Sequence, residues 1–215
     1  MLGQITEIAD HGLLFAADAP ATDRHERVVQ LIRDSLERRH RAIPPNFAVV
    51  HVARDDVGKE AQFRIWCTTY AADSLSDRLH AALAGAKLGS SRRLLALGTG
   101  AEAYIEETIR WDSSDQAHTS RGYFTALCDV VARDEDPGSG GVPQLVGLYR
   151  EGNGRGFGII MNGRRYFHGL PVDGLHNYRS IEWRDDAFQR MDGRTLEPLR
   201  RAQRQVRPAL PPRNR

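Results

Sequence analysis

The run Leu94-Leu95-Ala96-Leu97-Gly98-Thr99-Gly100-Ala101-Glu102-Ala103-Tyr104-Ile105-Glu106-Glu107-Thr108-Ile109-Arg110-Trp111 decides how the rest of the chain is read. Leu94 to Leu97 reads as a strand, Gly98-Thr99-Gly100 as a tight turn, and Ala101 to Trp111 as a helix. In that helix Ala101, Tyr104, Ile105, Thr108 and Ile109 recur at spacings of three and four, one stripe of an amphipathic surface. After a polar break, Ser120 to Arg133 reads as a second helix. Its Tyr123, Phe124, Leu127, Cys128, Val130 and Val131 cover more than half of the circumference, so it needs neighbours on more than one side. The loop Asp136-Pro137-Gly138-Ser139-Gly140-Gly141 then leads into an apolar strand, Gln144 to Tyr149. Strand, helix pair, strand describes two helices laid on one face of a sheet, an α+β domain.

Leu-Gly-Thr-Gly-Ala, two helices, Asp-x-x-Ser-Gly-Gly and an apolar strand together resemble the second half of proteasome β-type subunits and their bacterial relatives. These are N-terminal-nucleophile (Ntn) hydrolases. The resemblance implies a four-layer αββα sandwich and places Thr99, Asp136 and Ser139 at the positions that support the family's catalytic amino-terminal threonine. It extends back to Arg24. Val28, Leu31, Ile32 and Leu36 form the stripe of a long helix ending near Ala42-Ile43-Pro44-Pro45-Asn46, and strands follow over Phe47–Ala53 and Gln62–Tyr70.

A nucleophile of this family is a threonine, serine or cysteine whose own α-amino group serves as general base, because such an amine titrates near neutrality. This chain begins Met1-Leu2-Gly3. Setting Gly12 to Thr22 against the family's early strand puts the nucleophile near Leu2, which has no chemistry to offer. The register in which a helix follows directly starts the chain after the family's first two strands, without the nucleophile segment. The two lysines, Lys59 and Lys87, do not fall at the family's lysine position, and arginine stays protonated and cannot carry the proton.

Between the strands, Leu75, Leu79, Ala82, Leu83 and Ala86 form a helical stripe over Asp73 to Gly89, with Ser74 and Asp77 suited to a capping box and Gly89 to a stop. Downstream, Phe157 to Met161 and Arg164 to His168 flank Asn162-Gly163, a strong hairpin pattern. Asp173 to Met191, with Tyr178, Trp183 and Phe188, is expected to pack back on the body.

Composition narrows the function classes. Formal net charge is +2, too little to demand a polyanionic partner. No apolar run approaches the ~20 residues needed to cross a bilayer, and the start shows no signal-peptide pattern, so the expectation is a cytoplasmic protein with no membrane or nucleic-acid partner. Seven arginines and four prolines crowd Arg194 to Arg215 against one acid, Glu197. The expected division is therefore a single domain over 1–193 and a flexible tail over 194–215. Cys67 and Cys128 read as core thiols, and the eight histidines lie at no metal-ligand spacing, so neither metal nor cofactor is expected.

The leading expectation is a non-catalytic structural or regulatory subunit assembling with itself or with a related proteasome-like subunit. One alternative is an active threonine-type peptidase, acting on peptides, whose nucleophile lies upstream of Met1. A second is a dinucleotide-binding protein, because Gly98-Thr99-Gly100-Ala101-Glu102-Ala103 has the Gly-x-Gly-x-x-Ala form of a pyrophosphate turn. That form calls for a parallel strand ending in an acid about 20 residues on, whereas here a second helix follows. A purely structural alternative has Thr99 capping one helix, Asp136 capping the end of another and Ser139 satisfying a turn.

Overall fold

In the computed structural model, residues 2–16, 18–39, 45–84, 90–174, 177–202 and 206–212 are described. Helices and strands come in runs, in an α+β pattern, with every strand pair antiparallel except β5 (Arg155–Met161) with β8 (Trp183–Asp185), which is parallel; the chain divides into two units: residues 1–86 with 148–153, and 87–147 with 154–215.

The first unit contains helices α1 (Leu2–Asp10) and α2 (Ala21–Glu37) and strands β1 (Phe47–Asp55), β2 (Gln62–Ala71) and β3 (Ser74–Ala84). The strands form an antiparallel meander in the order β1-β2-β3. Alternation along β1 turns Phe47, Val49, His51 and Ala53 to the side that meets α2. There Val28 and Ile32 pack with Leu14, and Phe47, Val49 and Leu75 close over them. The start of α2 is fixed from the sheet, because the Ala21 amide donates to Asp55 Oδ1 at 2.6 Å. Such a bond satisfies one of the N–H groups a helix leaves orphaned at its N-terminus.

Helix α2 and strands β1 and β2 follow the sequence expectation within a few residues. Of the proline break expected over 42–46, residues 42–44 lie outside the described residues. The helix expected over Asp73 to Gly89 is not formed: residues 74–84 are β3, and 85–89 lie outside the described residues. Ala71 pairs with Ser74 across a two-residue turn in which Ala72 (φ 49°) and Asp73 (φ 57°) are both left-handed, the geometry that suits the twist of a hairpin. Tyr70 Oη and Arg39 Nη2 both donate to Asp73, at 2.7 and 3.0 Å, holding the turn. Pairing along nearly all of β2 outweighs a helical stripe worth only tenths of a kcal/mol per residue.

The second unit holds α3 (Ala101–Trp111), α4 (Ser120–Ala132), β4 (Leu145–Gly147), β5 (Arg155–Met161), β6 (Arg164–Phe167), β7 (Leu170–Pro171), β8 (Trp183–Asp185) and β9 (Arg190–Met191). Its sheet runs β7-β6-β5-β8-β9, with β4 also on β5. The strand expected at Leu94–Leu97 is not formed among the described residues. Ala96 and Leu97 instead line an apolar cleft with Leu127, Val130 and Val131; Leu94 to Ala96 are half-buried and Leu97 is exposed, and none of them enters a ladder. The strand expected over Gln144–Tyr149 is shortened to β4.

Strand β5 is buried on both faces. Ile159 packs with Phe124 and Cys128 of α4, while Ile160 packs with Trp183 and Met191. Trp183 lies between two glycines: a Cβ added at Gly158 or Gly193 would stand 2.2 or 2.1 Å from its indole. The Asn162-Gly163 turn is as expected, with φ 51° and 71°. Residues 177–191 pack back through Tyr178, Trp183 and Phe188 as expected, leaving 175–176 outside the described residues. Beyond β9, Met191 bridges Pro198 and the Leu199 amide donates to the Arg190 carbonyl. Further on, Arg207 pairs with Asp129 of α4 and Arg110 Nε of α3 donates to the Pro211 carbonyl at 2.6 Å. No described helix is long and apolar enough to cross a membrane.

Candidate functional site

The glycine turn before α3 and the loop after α4 meet. Gly98 has φ 96°, open to glycine at little cost, and it lets the chain turn from the apolar run into α3 within two residues. Gly100 is the residue at the helix N-cap. The loop after α4 brings Asp136 against this turn, where its Oδ2 accepts from Thr99 Oγ1 and from Ser139 Oγ, both at 2.6 Å. The Gly138 amide donates to Oδ1 at 3.0 Å. Three donors therefore converge on one carboxylate, and the bonds from Ser139, Thr99 and Gly138, in that order of effect, hold Asp136 below the usual carboxylate range.

Glycine is required at two of these positions by contact. A Cβ at Gly100 would stand 2.7 Å from Ser139 Oγ and 3.1 Å from Asp136 Oδ2, and one at Gly138 would stand 2.5 Å from Thr99 Oγ1. The three residues singled out in the sequence are thus brought together. The structural roles considered for them differ in detail: Gly100, not Thr99, stands at the cap of α3, and no side chain caps it. Asp136 receives hydroxyls rather than capping α4, and Ser139 donates to Asp136. An apolar cleft of about 230 Å³ opens beside this node, lined by Gly100, Tyr104, Leu127, Val130 and Ser139 among others. Lys59 lies in a 3-10 turn of the first unit, and Lys87 lies outside the described residues.

A second constellation, in the first unit, joins residues that the sequence leaves scattered. His25 Nε2 lies 2.9 Å from Asp77 Oδ2, and Thr68 Oγ1 donates to Asp77 Oδ1 at 2.6 Å. On its other side His25 Nδ1 lies 3.1 Å from His51 Nδ1. Both imidazoles stack on Trp66, with centroids at 4.3 and 5.7 Å. Burial, then the neighbouring His25 and Arg24, pushes His51 down to about 4, so it is neutral at pH 7. Burial pushes the Asp77 carboxyl up, but the bonds from Thr68 and His25, with the nearby His25 and Arg33 charges, together hold it below the usual range. This chain of polar groups can hold a proton position; among the described residues no group of three or more His, Cys, Asp or Glu side chains is placed to hold a metal ion.

The thiol of Cys128 is pushed up to about 12, chiefly by burial, in keeping with a core role; Cys67 is partly buried on β2. No protein-family model, curated protein or solved structure matches the chain.

Proposed function

We propose that the chain is a proteasome-β-like subunit, of the four-layer Ntn type, that acts as a non-catalytic structural or regulatory component of an oligomeric assembly. The observation that supports this reading is the node itself: the Asp136 carboxylate is engaged by Thr99, Ser139 and the Gly138 amide of its own unit. An ionised carboxylate serving as a fixed acceptor for two hydroxyls ties the loop after α4 to the start of α3. Its acceptor sites serve that clamp rather than a reacting group.

The peptidase alternative uses the same three residues to orient a terminal threonine and its amine. Incubation with fluorogenic peptides and with an electrophilic β-lactone, read by intact mass, separates the two. The expected result is neither hydrolysis nor a covalent adduct. Hydrolysis that is lost in Asp136→Asn, together with a single lactone adduct on an amino-terminal residue, would establish the peptidase instead.

The dinucleotide alternative is disfavoured by what fills the turn. Close backbone approach to a pyrophosphate is what the middle glycine of that motif provides, and here Ser139 and Asp136 occupy the space beside Gly100. A fixed carboxylate at a helix N-terminus also repels a second anion.

A further inference from the structure

In the second unit a cleft of about 570 Å³ is bounded by four arginines from different parts of the chain: Arg155 at the start of β5, Arg179 in the 3-10 turn 178–180, Arg190 on β9, and Arg194 just beyond it. We propose that this cleft binds a small molecule through a diphosphate group.

The charge balance selects an anion. Two carboxylates line the same cleft, and both are engaged. Glu182 takes Arg155 at 3.3 Å on Oε2, and on Oε1 it takes Arg184 and, at 3.9 Å, Arg190. Asp192 Oδ1 accepts the backbone amides of Arg194 and Thr195, at 2.7 and 3.3 Å. Arg194 and Arg179 also act on Asp192 through their charge, but among the described residues neither guanidinium forms a salt bridge within 4 Å. Four guanidiniums against two carboxylates leave the cleft with two positive charges in excess.

The frame is built rather than incidental. Trp183 forms part of the wall, buried, with its indole N–H given to the Tyr178 carbonyl at 3.0 Å. Arg165 ties the two arginine-bearing turns together: its guanidinium lies 4.7 Å over the Tyr178 ring, and it donates to the Gly193 carbonyl and, at 2.7 Å, to the Arg194 carbonyl. The turns carrying Arg179 and Arg194 are therefore held in one arrangement before any ligand arrives.

Planar guanidinium forks match phosphate oxygens two at a time. Two uncommitted forks and an excess of two charges fit a diphosphate better than a single phosphate or a carboxylate. The volume falls within the ordinary range of small-molecule sites and leaves room for an attached group, with Tyr178 half-buried at the wall. Inorganic pyrophosphate and a nucleoside diphosphate share this chemistry.

The test is titration calorimetry of the full chain with pyrophosphate and with ADP, comparing wild type with Arg179→Ala/Arg194→Ala and with Arg179→Lys/Arg194→Lys. Saturable binding is expected for at least one of the two, and tighter binding of ADP assigns the source as a nucleoside diphosphate. The alanine pair is expected to weaken it by about tenfold or more without moving Tm, because both side chains are exposed. The lysine pair should fall between, keeping charge and losing the fork. No binding of either anion, or equal binding by wild type and the alanine pair, overturns the proposal. So does a single-stranded oligonucleotide that displaces both anions through the same arginines with far higher affinity, which would make the cleft part of a nucleic-acid surface.

Discussion

At the scale of single residues, the two carboxylates that organise polar clusters answer to acid in the same direction, and His51 adds a separate window. Asp136 has its folded value lowered by three hydrogen bonds. Its contribution is present above the unfolded carboxylate value of about 3.9 and is lost as pH falls through the lower folded one. Asp136→Asn should therefore reduce Tm at neutral pH and flatten the part of the stability curve below about pH 4, as thermal scans across pH would show. His51 titrates near 4 when folded but at about 6.5 when unfolded. The unfolded chain takes up a proton between those values and the folded chain does not, so stability falls as pH drops from about 6.5 toward 4. After a discount for its partial exposure the loss is about 2 kcal/mol. Urea titrations at pH 7.5 and 5 should show about 1 kcal/mol of that loss in wild type and much less of it in His51→Phe; equal losses in both would place the effect elsewhere. Of these clusters only the first was anticipated from the sequence, through the resemblance that points to Thr99, Asp136 and Ser139. His25, His51 and Asp77 are far apart along the chain and meet only because α2 lies on the inner face of the β1–β3 meander, which no spacing rule reports.

Among the elements, those with one dominant period were legible and those with a shared period were not. Helices α3 and α4 match their expected spans to within a residue, since stripes at three and four fit no strand. The β3 segment misleads because Leu75 and Leu79 are four apart, which is one helical turn and also two strand repeats. The turn that settles the matter, Ala72-Asp73, lacks the Asn-Gly pattern of a left-handed pair. An alanine held at φ 49° carries strain of about 1 kcal/mol. Replacing Ala72-Asp73 by Asn-Gly relieves it at the cost of the Tyr70 and Arg39 bonds to Asp73, whereas Ala72→Asn alone keeps them. The single variant should raise stability by about 0.5–1 kcal/mol in urea titration, and a loss would mean the turn is not left-handed at that residue. In the helix pair, Glu107 on α3 is 2% exposed and accepts from Arg110 at 2.7 Å and from Arg133, at the end of α4, at 2.8 Å. Glu107→Gln removes the buried carboxylate from both guanidiniums, leaving Arg133 with Glu135 alone at 3.5 Å, and should cost about 3 kcal/mol. A shift of under ~0.5 kcal/mol would show that water reaches the pair.

For the whole molecule, the sequence indicates an α+β chain correctly because helices and strands come in separate runs along it, but the division into two units was not legible. Residues 148–153 join the first unit from the middle of the second, and local patterns carry no trace of such a crossing. The arginine-rich end illustrates the same limit. Its composition reads as a tail, yet Leu199 donates to Arg190 and Arg207 pairs with Asp129, contacts fixed by tertiary neighbours rather than by local propensity.

Assembly is the property on which the proposed role rests, and the clamp at Asp136 is the feature that links it to the resemblance. Sedimentation of the wild-type protein purified from its host, side by side with Asp136→Asn, addresses both at once. A discrete oligomer, of this chain alone or with a related subunit, that loses mass when Asp136 is changed is the expected result. A wild-type protein that sediments as a monomer at every concentration would contradict a role as a structural subunit.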